Sequence, residues 1–473
     1  MDTPRLILGP MTGGLTSTSA NLWGRADKSA TLHGWISRNP DLTDAVQVGE
    51  TKLDEENGCA GVVPVKNLSP ETKYFYALTL SPELPHPSPE SIAFFKTLPV
   101  DLDPRPISFA FGSCFRPSTP DGGQIFRSID QIRQIQDLRF MLLIGDQIYA
   151  DDWKFNGIGK LATSLEDYRA VYAYTWSRPP FAEMVRHLPV YMILDDHEVD
   201  DDWHWDDLDR RWAHIPWWDA AIRWLAGRSK SDRFLDLTRV RDALQAYREH
   251  QGIHAPASIK PPGMNRGGRY VLKQEEGTFA YSFTAGSAAF FVLDTRSMRV
   301  EGRQIRQIID ENQWEALERW LNDVRDKFPV KFIVSSSSVL FDMWLDVARD
   351  RWNGFPKDRE RLLNLIARGS DNLFLLTGDL HSAHAISADL LTPGSLPVRL
   401  WEFCSTPFEQ QPNTLGFSYS RVRLPVIRKS RLYFQAAQHN FGVVRITFTP
   451  QGKAEVTFTI HDEEGKPINS VQA

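Results

Sequence analysis

The sequence predicts an α/β fold preceded by a small all-β sandwich, and two observations carry this. From Leu6 to about Thr97, short alternating apolar runs ("SANLWGRA", "ATLHGWIS", "CAGVVPVKNL") are separated by Gly, Pro, Asn and Asp turns, the rhythm of a sandwich. After about residue 100, apolar strands such as "ISFAFGSC", "RFMLLIGD", "LPVYMILDDHE", "AAFFVLDTR", "VKFIVSSSS" and "DNLFLLTGDLH" alternate with helix-period segments such as "FRSIDQIRQI" and "NQWEALERWLNDV". That alternation implies an α/β domain with buried strands.

In the first region, "LSPETKYFYAL" (68–78) is a Pro-led turn entering a Tyr-x-Tyr strand. It resembles the tyrosine corner of immunoglobulin-like and fibronectin type III domains. The Pro-rich "SPELPHPSPES" (81–91) looks like a linker, but "IAFFKTL" after it still reads as a last strand. The boundary is therefore placed in "PVDLDPRP", giving a β-sandwich domain over 1–99 and an α/β domain over 100–473. The α/β domain contains a Trp-rich insertion at about 201–262, whose aromatics are either core or a lid over a substrate.

With 473 residues, 42% of them apolar, the chain has enough sequence for two or three domains and a large core. A net charge of −6 leaves no global basic field, so phosphate recognition must be local and no stable nucleic-acid complex is expected. The start, "MDTPRLILGPMTGG", lacks a basic segment followed by a long apolar one, and no stretch reaches the roughly 18 apolar residues of a membrane span. A cytoplasmic protein is the expectation, although a trimmed secreted form would read the same. Cys59, Cys114 and Cys404 are too few and too scattered for a disulfide framework. Nothing in the sequence specifies an oligomeric state.

Four strands finish in polar residues: "FGSC" at Cys114, "LLIGDQIY" at Asp146 and Tyr149, "MILDDHE" at Asp195 to Glu198, and "LLTGDLH" at Asp379 and His381. Functional groups gather beyond the carboxyl ends of strands in open α/β sheets. If the four ends converge, they bring together several acids with an imidazole, a phenol and a thiol but no lysine. Buried charges of one sign need a partner or a metal. Singly each motif is weak, since a strand-end Asp is more often a turn or cap residue.

In order, "FGSC", "GDQIYADD", "LDDHEVDDDW", "LDTR", "TGDLH" and "EFCST" resemble the pattern of PhoD-type alkaline phosphatases and phosphodiesterases. These belong to the calcineurin-like metallophosphoesterases, related to purple acid phosphatases. The resemblance runs from about Leu6 to Phe448 and implies a four-layer αββα sandwich around a multinuclear metal centre, with a β-sandwich before it. It makes Asp146 the carboxylate bridging two metals and Tyr149 and Cys114 ligands of a ferric ion. A tyrosinate is a hard donor suited to a trivalent ion, and a cation keeps a buried cysteine as thiolate.

By the same resemblance Asp196 binds the second metal and His197 faces the substrate as acid or electrostatic clamp, with Glu198 orienting its ring. Asp379 and His381 occupy the two positions of a Gly-His-x-His motif in relatives. Asp in place of His makes the site harder and more oxygen-rich, which suits Ca²⁺ or Mg²⁺ better than Zn²⁺. The expected cofactors are Fe³⁺ and Ca²⁺, with Mg²⁺, Mn²⁺ or Zn²⁺ as alternatives at the second site. The acidic run 195–209 holds nine acids and no Lys or Arg. It offers Asp200 or Asp201 as further Ca²⁺ ligands, or is simply a solvated loop. Arg296, in "LDTRSMR", is either a phosphate clamp or a structural salt bridge, and Arg116 is a weaker clamp candidate. Met298 stands where the family often has Tyr.

The expected reaction is hydrolysis of a small-molecule phosphate ester, monoester or diester, by a metal-activated hydroxide attacking phosphorus in line. Two rivals remain. A cysteine hydrolase would use Cys114, although the Cys-x₅-Arg version fails because residue 120 is Pro. A non-catalytic binding protein would hold its metal for structure alone.

Overall fold

The structure, a computed structural model, describes residues 3–84, 92–119, 121–205, 235–263, 277–301, 306–343, 350–368, 371–391, 396–414 and 419–473. The first strands are β1 (Leu6–Gly13), β2 (Ala20–Ala26), β3 (Ala30–Ser37), β4 (Val46–Leu53), β5 (Ala60–Val65), β6 (Lys73–Thr79) and β7 (Ala93–Lys96). Then follow β8 (Ile107–Gly112), helix α1 (Gln124–Gln136), β9 (Leu138–Ile144), α2 (Leu165–Trp176), α3 (Pro179–His187), β10 (Val190–Ile193) and α4 (Leu237–His250). The second half holds β11 (Ser258–Lys260), β12 (Thr278–Ala285), β13 (Ala288–Val292), β14 (Val300–Glu301), β15 (Arg306–Gln307), α5 (Glu311–Val324), β16 (Val330–Val334), β17 (Phe341–Met343) and α6 (Pro356–Ala367). It ends with β18 (Leu373–Thr377), β19 (Ala383–Leu390), β20 (Val398–Cys404), β21 (Tyr419–Arg421), β22 (Ile427–Ala436), β23 (Asn440–Phe448), β24 (Ala454–Asp462) and β25 (Pro467–Gln472).

Two large sheets face each other. One runs β25-β24-β23-β8-β9-β10-β1-β2-β5 and the other β11-β12-β13-β16-β18-β20-β19-β22. Phe109 and Phe140 of the first meet Phe290 and Phe332 of the second, with ring centroids 5.4 Å apart for Phe109–Phe290 and Phe109–Phe332. The period-2 alternation of a strand explains how the second sheet is covered twice. Along β13, Phe290 and Val292 join the core between the sheets, while Ala289 and Phe291 join a separate core under α5 and α6. Helices α1 and α3 pack against each other on the first sheet's side, so the four-layer α/β expectation is met.

The N-terminal all-β region is present as β4-β3-β6-β7 packed on β1-β2-β5. Its tyrosine corner is visible: the backbone N–H of Ser69 donates to the Tyr74 hydroxyl at 3.0 Å. The sheet does not stop at residue 99, however. β1 pairs in parallel with β10 through Gly13 and Val190, so half of the N-terminal sandwich is the continuation of the sheet that holds β8, β9 and β10. Of the Trp-rich insertion, 206–234 lies outside the described residues. Trp203 and Trp205 are buried, and Trp205 donates its indole N–H to the Ser297 carbonyl at 2.6 Å.

Candidate metal centre

Strands β8, β9 and β10 pair in parallel, as do β13, β16, β18 and β20, so their carboxyl ends open on one edge. The loops leaving them have unusual backbone. Cys114 (φ 65), Asp146 (φ 55), Asp379 (φ 63) and His381 (φ 53) are all left-handed. Non-glycine residues rarely adopt this conformation, and such strain gathers at functional sites. Gly145 (φ +104) sits where the turns crowd: a Cβ there would lie 2.7 Å from the Asp195 Cβ and 3.3 Å from that of Ser336.

Around this crowding the expected ligands meet. The Cys114 sulfur is 3.3 Å from Asp146 Oδ2, and the Tyr149 hydroxyl is 3.2 Å from the same oxygen. The Tyr149 hydroxyl is also 3.3 Å from His381 Nε2. Ligand atoms of Cys114, Asp146 and His381 lie within 4.8 Å of one another, and so do those of Asp146, Asp196 and His197. Asp146 belongs to both groups, and its Oδ1 is buried without a hydrogen-bond partner. Asp379 reaches the site through its backbone, whose N–H donates to Ser113 Oγ at 3.1 Å. Its carboxylate forms an ion pair with Arg351 at 3.5 Å and joins neither group.

The electrostatics suit a bound cation. Burial, then the Asp146 and Asp379 charges, pushes the Cys114 thiol far up. Burial and neighbouring carboxylates likewise raise Asp146 against the opposing His197 cation, and burial followed by Asp146 and Cys114 raises Tyr149. Burial lowers His381 to about 3, leaving a neutral imidazole able to ligate. Three acids forced to keep their protons beside an unpartnered carboxylate oxygen form a donor set that a multivalent cation relieves. Thiolate, phenolate, imidazole and a shared carboxylate suit a transition metal, and the all-oxygen cluster of Asp196, Asp201 and Asp202 suits a harder one.

One expected role is corrected, and of the two readings of Arg296 the structural salt bridge is the one seen. Glu198 does not orient the His197 ring. Fully buried, it accepts from the backbone N–H groups of Gln147 (2.7 Å), Asp195 (2.9 Å) and Asp146 (3.1 Å), stapling the strand-end turns together. The ring is held instead by Asp151, whose Oδ1 is 2.8 Å from His197 Nδ1, and it lies 4.1 Å from the Tyr149 ring. Nor is Arg296 a phosphate clamp. It is fully buried, with Nε 2.9 Å from Asp195 and its two other nitrogens 3.0 and 2.8 Å from Asp350, so it neutralises the acids from behind.

Other contributors went unread in the sequence. Thr406 and Ser113 each place a hydroxyl 3.1 Å from the Cys114 sulfur. Asp202 donates its backbone N–H to Asp196 Oδ2 at 2.7 Å, and Asp196, Asp201 and Asp202 form a further cluster of ligand atoms. Asp200, by contrast, pairs with Arg239 at 3.1 Å. Arg116 faces the centre after all: a cavity of about 360 Å³ is lined by it with Tyr149, His197, Asp151 and Gln410. "EFCST" contributes in a different way. Glu402, fully buried, accepts from His384 Nε2 at 2.8 Å and from the N–H groups of Val339 and Leu340, fixing the loop after β16.

Comparison with known proteins identifies the family. The family model for PhoD-like phosphatase matches residues 109–458, about three quarters of the chain. Alkaline phosphatase D of Bacillus subtilis is 25% identical over 490 aligned positions, which cover 95% of this chain and 76% of that protein. A solved structure of PhoD superposes with a TM-score of 0.67 at 19% identity, covering 98% of this chain and 92% of that one. Purple acid phosphatase PPD1 from yellow lupin gives 0.58 at 14% identity, covering 100% and 74%. The matched span and the paired sheets place this chain in the PhoD-like phosphatase family of phosphoric ester hydrolases.

Proposed function

We propose that the chain hydrolyses small-molecule phosphate esters at a centre in which Cys114, Asp146, Tyr149 and His381 hold Fe³⁺ while Asp146 and Asp196, with Asp379 beside them, hold Ca²⁺. Mg²⁺, Mn²⁺ and Zn²⁺ are the alternatives at the second position. The observation that carries this is Asp146, which is shared by both ligand groups and has one oxygen left unpartnered in a buried setting. When bound, such a pair of cations lowers the pKa of a coordinated water and offsets charge on the phosphoryl oxygens.

The chain's own side chains do the rest. His197 is held by Asp151 and surrounded by carboxylates, which overcome its burial and keep it protonated. It is therefore an acid for the departing alkoxide and a cation for the developing charge. The Tyr149 ring fixes the imidazole from the other face. Glu198 and Arg296 keep the ligand turns at their spacing without touching the substrate.

The cysteine-hydrolase reading loses support because the Cys114 thiol is driven towards protonation and sits beside a carboxylate. The test is chelation joined to Asp146→Asn. Metal removal is expected to abolish 4-nitrophenyl phosphate and bis-4-nitrophenyl phosphate hydrolysis, and the variant is expected to lose both metals by elemental analysis. Full turnover by the stripped protein would restore the thiol mechanism. For the iron assignment, the native protein should carry a broad visible charge-transfer band that Tyr149→Phe removes.

A further inference from the structure

We propose that the loop Asp152–Lys160 is the leaving-group subsite of this centre, and that Trp153 and Phe155 on it select phosphate esters of aryl alcohols over those of alkyl alcohols. This rests on the phosphoester reading and adds the substrate class. "WKFNGIGK" (153–160) follows the ligand run directly and has no counterpart in the metal chemistry.

The loop is a preformed wall. Asn156 is buried, its Nδ2 donates to the carbonyls of Ala150 (3.2 Å) and Lys160 (2.6 Å), and its Oδ1 accepts from the N–H of Ile158 at 3.1 Å. Gly157 (φ +81) lies against α2 so closely that a Cβ would fall 2.1 Å from the Tyr174 ring. These anchors involve neither the Trp153 ring nor the Phe155 ring. Trp153 is nonetheless 38% exposed, and both rings line the cavity that His197 and Tyr149 close from the metal side. A large aromatic left open beside a reactive group is informative where a scattered one is not.

Arg116 joins the two walls. Its guanidinium carbon is 4.6 Å from the Phe155 ring centroid and 6.0 Å from that of Tyr149, and Asp152 grips it by an ion pair. A flat cation lying across two rings continues the aromatic surface from the phenol at the centre to the loop. Charge does not explain the pocket. Arg116 and Lys154 are balanced by Asp152 and Asp201, and His197 by Asp151, so no positive surplus faces a second anionic group on the substrate. What the cavity offers beyond the metals is ring face, which favours a flat apolar leaving group.

The experiment measures binding of phenylphosphonate and methylphosphonate to metal-loaded protein by calorimetry. Wild type is expected to prefer the aryl compound. Phe155→Ala and Trp153→Ala should each cut that preference roughly fivefold, the scale of one aromatic face lost, and Phe155→Leu should cut it less. An unchanged aryl-to-methyl ratio in both alanine variants would overturn the subsite. Trp153 is exposed, so that variant reads out even if loss of Phe155 disturbs the loop. Hydrolysis of 4-nitrophenyl phosphate is assayed alongside as a separate readout. A preserved preference in a protein that hydrolyses no ester would overturn the reaction instead, and failure to bind either phosphonate would overturn both.

Discussion

His197 shows how a single side chain takes its role from its neighbours. Its Nδ1 faces Asp151 at 2.8 Å, and the same contact holds Asp151 down at about 2. In the proposed mechanism His197 meets the departing alkoxide while Asp151 only aims it, so His197→Ala is expected to lower kcat by about 10²–10⁴-fold with metal content nearly unchanged. Asp151→Asn should lower kcat less. Full activity in His197→Ala would remove the imidazole from the reaction. Arg296 makes the contrasting case. Arg296→Lys removes its paired contacts with Asp350 and leaves buried acids short of a partner, so stability should fall by about 3–5 kcal/mol in denaturant unfolding. An unchanged midpoint with a raised KM would return Arg296 to the substrate. Both residues were legible as site residues because they end strands in a recognisable order. Their partners were not, since Asp151 and Asp350 stand far from them in sequence and no local pattern states which acid an arginine or a histidine will meet. Asp146 and Tyr149 were the easier case: three residues apart on one turn, they meet directly, the Tyr149 hydroxyl donating to Asp146 Oδ2.

Helix α4 belongs to the stretch whose aromatics were read as either core or lid, and its buried face settles the question for the described part. Val240, Ala243, Leu244 and Tyr247 pack into the core shared with the N-terminal strands. The helix period was visible in the sequence, but its docking partner was not. Trp23, more than two hundred residues earlier, donates its indole N–H to the Glu249 carbonyl at 2.9 Å. Just beyond the helix, His254 is fully buried, with Nε2 2.8 Å from the His250 carbonyl, and burial lowers it from 6.5 to about 4. A group with a depressed folded value contributes its full stability above the unfolded pKa and loses it as pH falls towards the folded one. Between pH 6.5 and 4 the chain should therefore lose up to about 3 kcal/mol through this one residue. His254→Gln removes the titration. Comparing melting temperatures of the two proteins across that window should show a gap that narrows as pH falls; a constant gap would mean that His254 does not carry the dependence.

For the whole molecule, the question is whether the first hundred residues fold apart from the rest. The change of texture near residue 100 was legible because alternation gave way to mixed strand and helix periods, yet that signal says nothing of how sheets join. The nine-stranded sheet crosses the boundary through β1 and β10. Buried contacts cross it as well. Arg139 pairs with Glu71 at 2.6 Å, Tyr191 donates its hydroxyl to the Leu15 carbonyl at 2.5 Å, and Arg169 donates to the carbonyls of Glu55 and Glu56. A boundary between independent units falls where few contacts cross, and here one apolar core runs from Trp23 to Phe458. Calorimetry is therefore expected to show one transition for the N-terminal region and the catalytic sheets together, despite the length of the chain. Trp23→Ala opens a cavity in that joint and should shift the whole transition downward, on the order of 3–5 kcal/mol. Two separate transitions, with only the smaller moved by the substitution, would show that the sandwich folds alone and that the sheet continuity carries no cooperative weight.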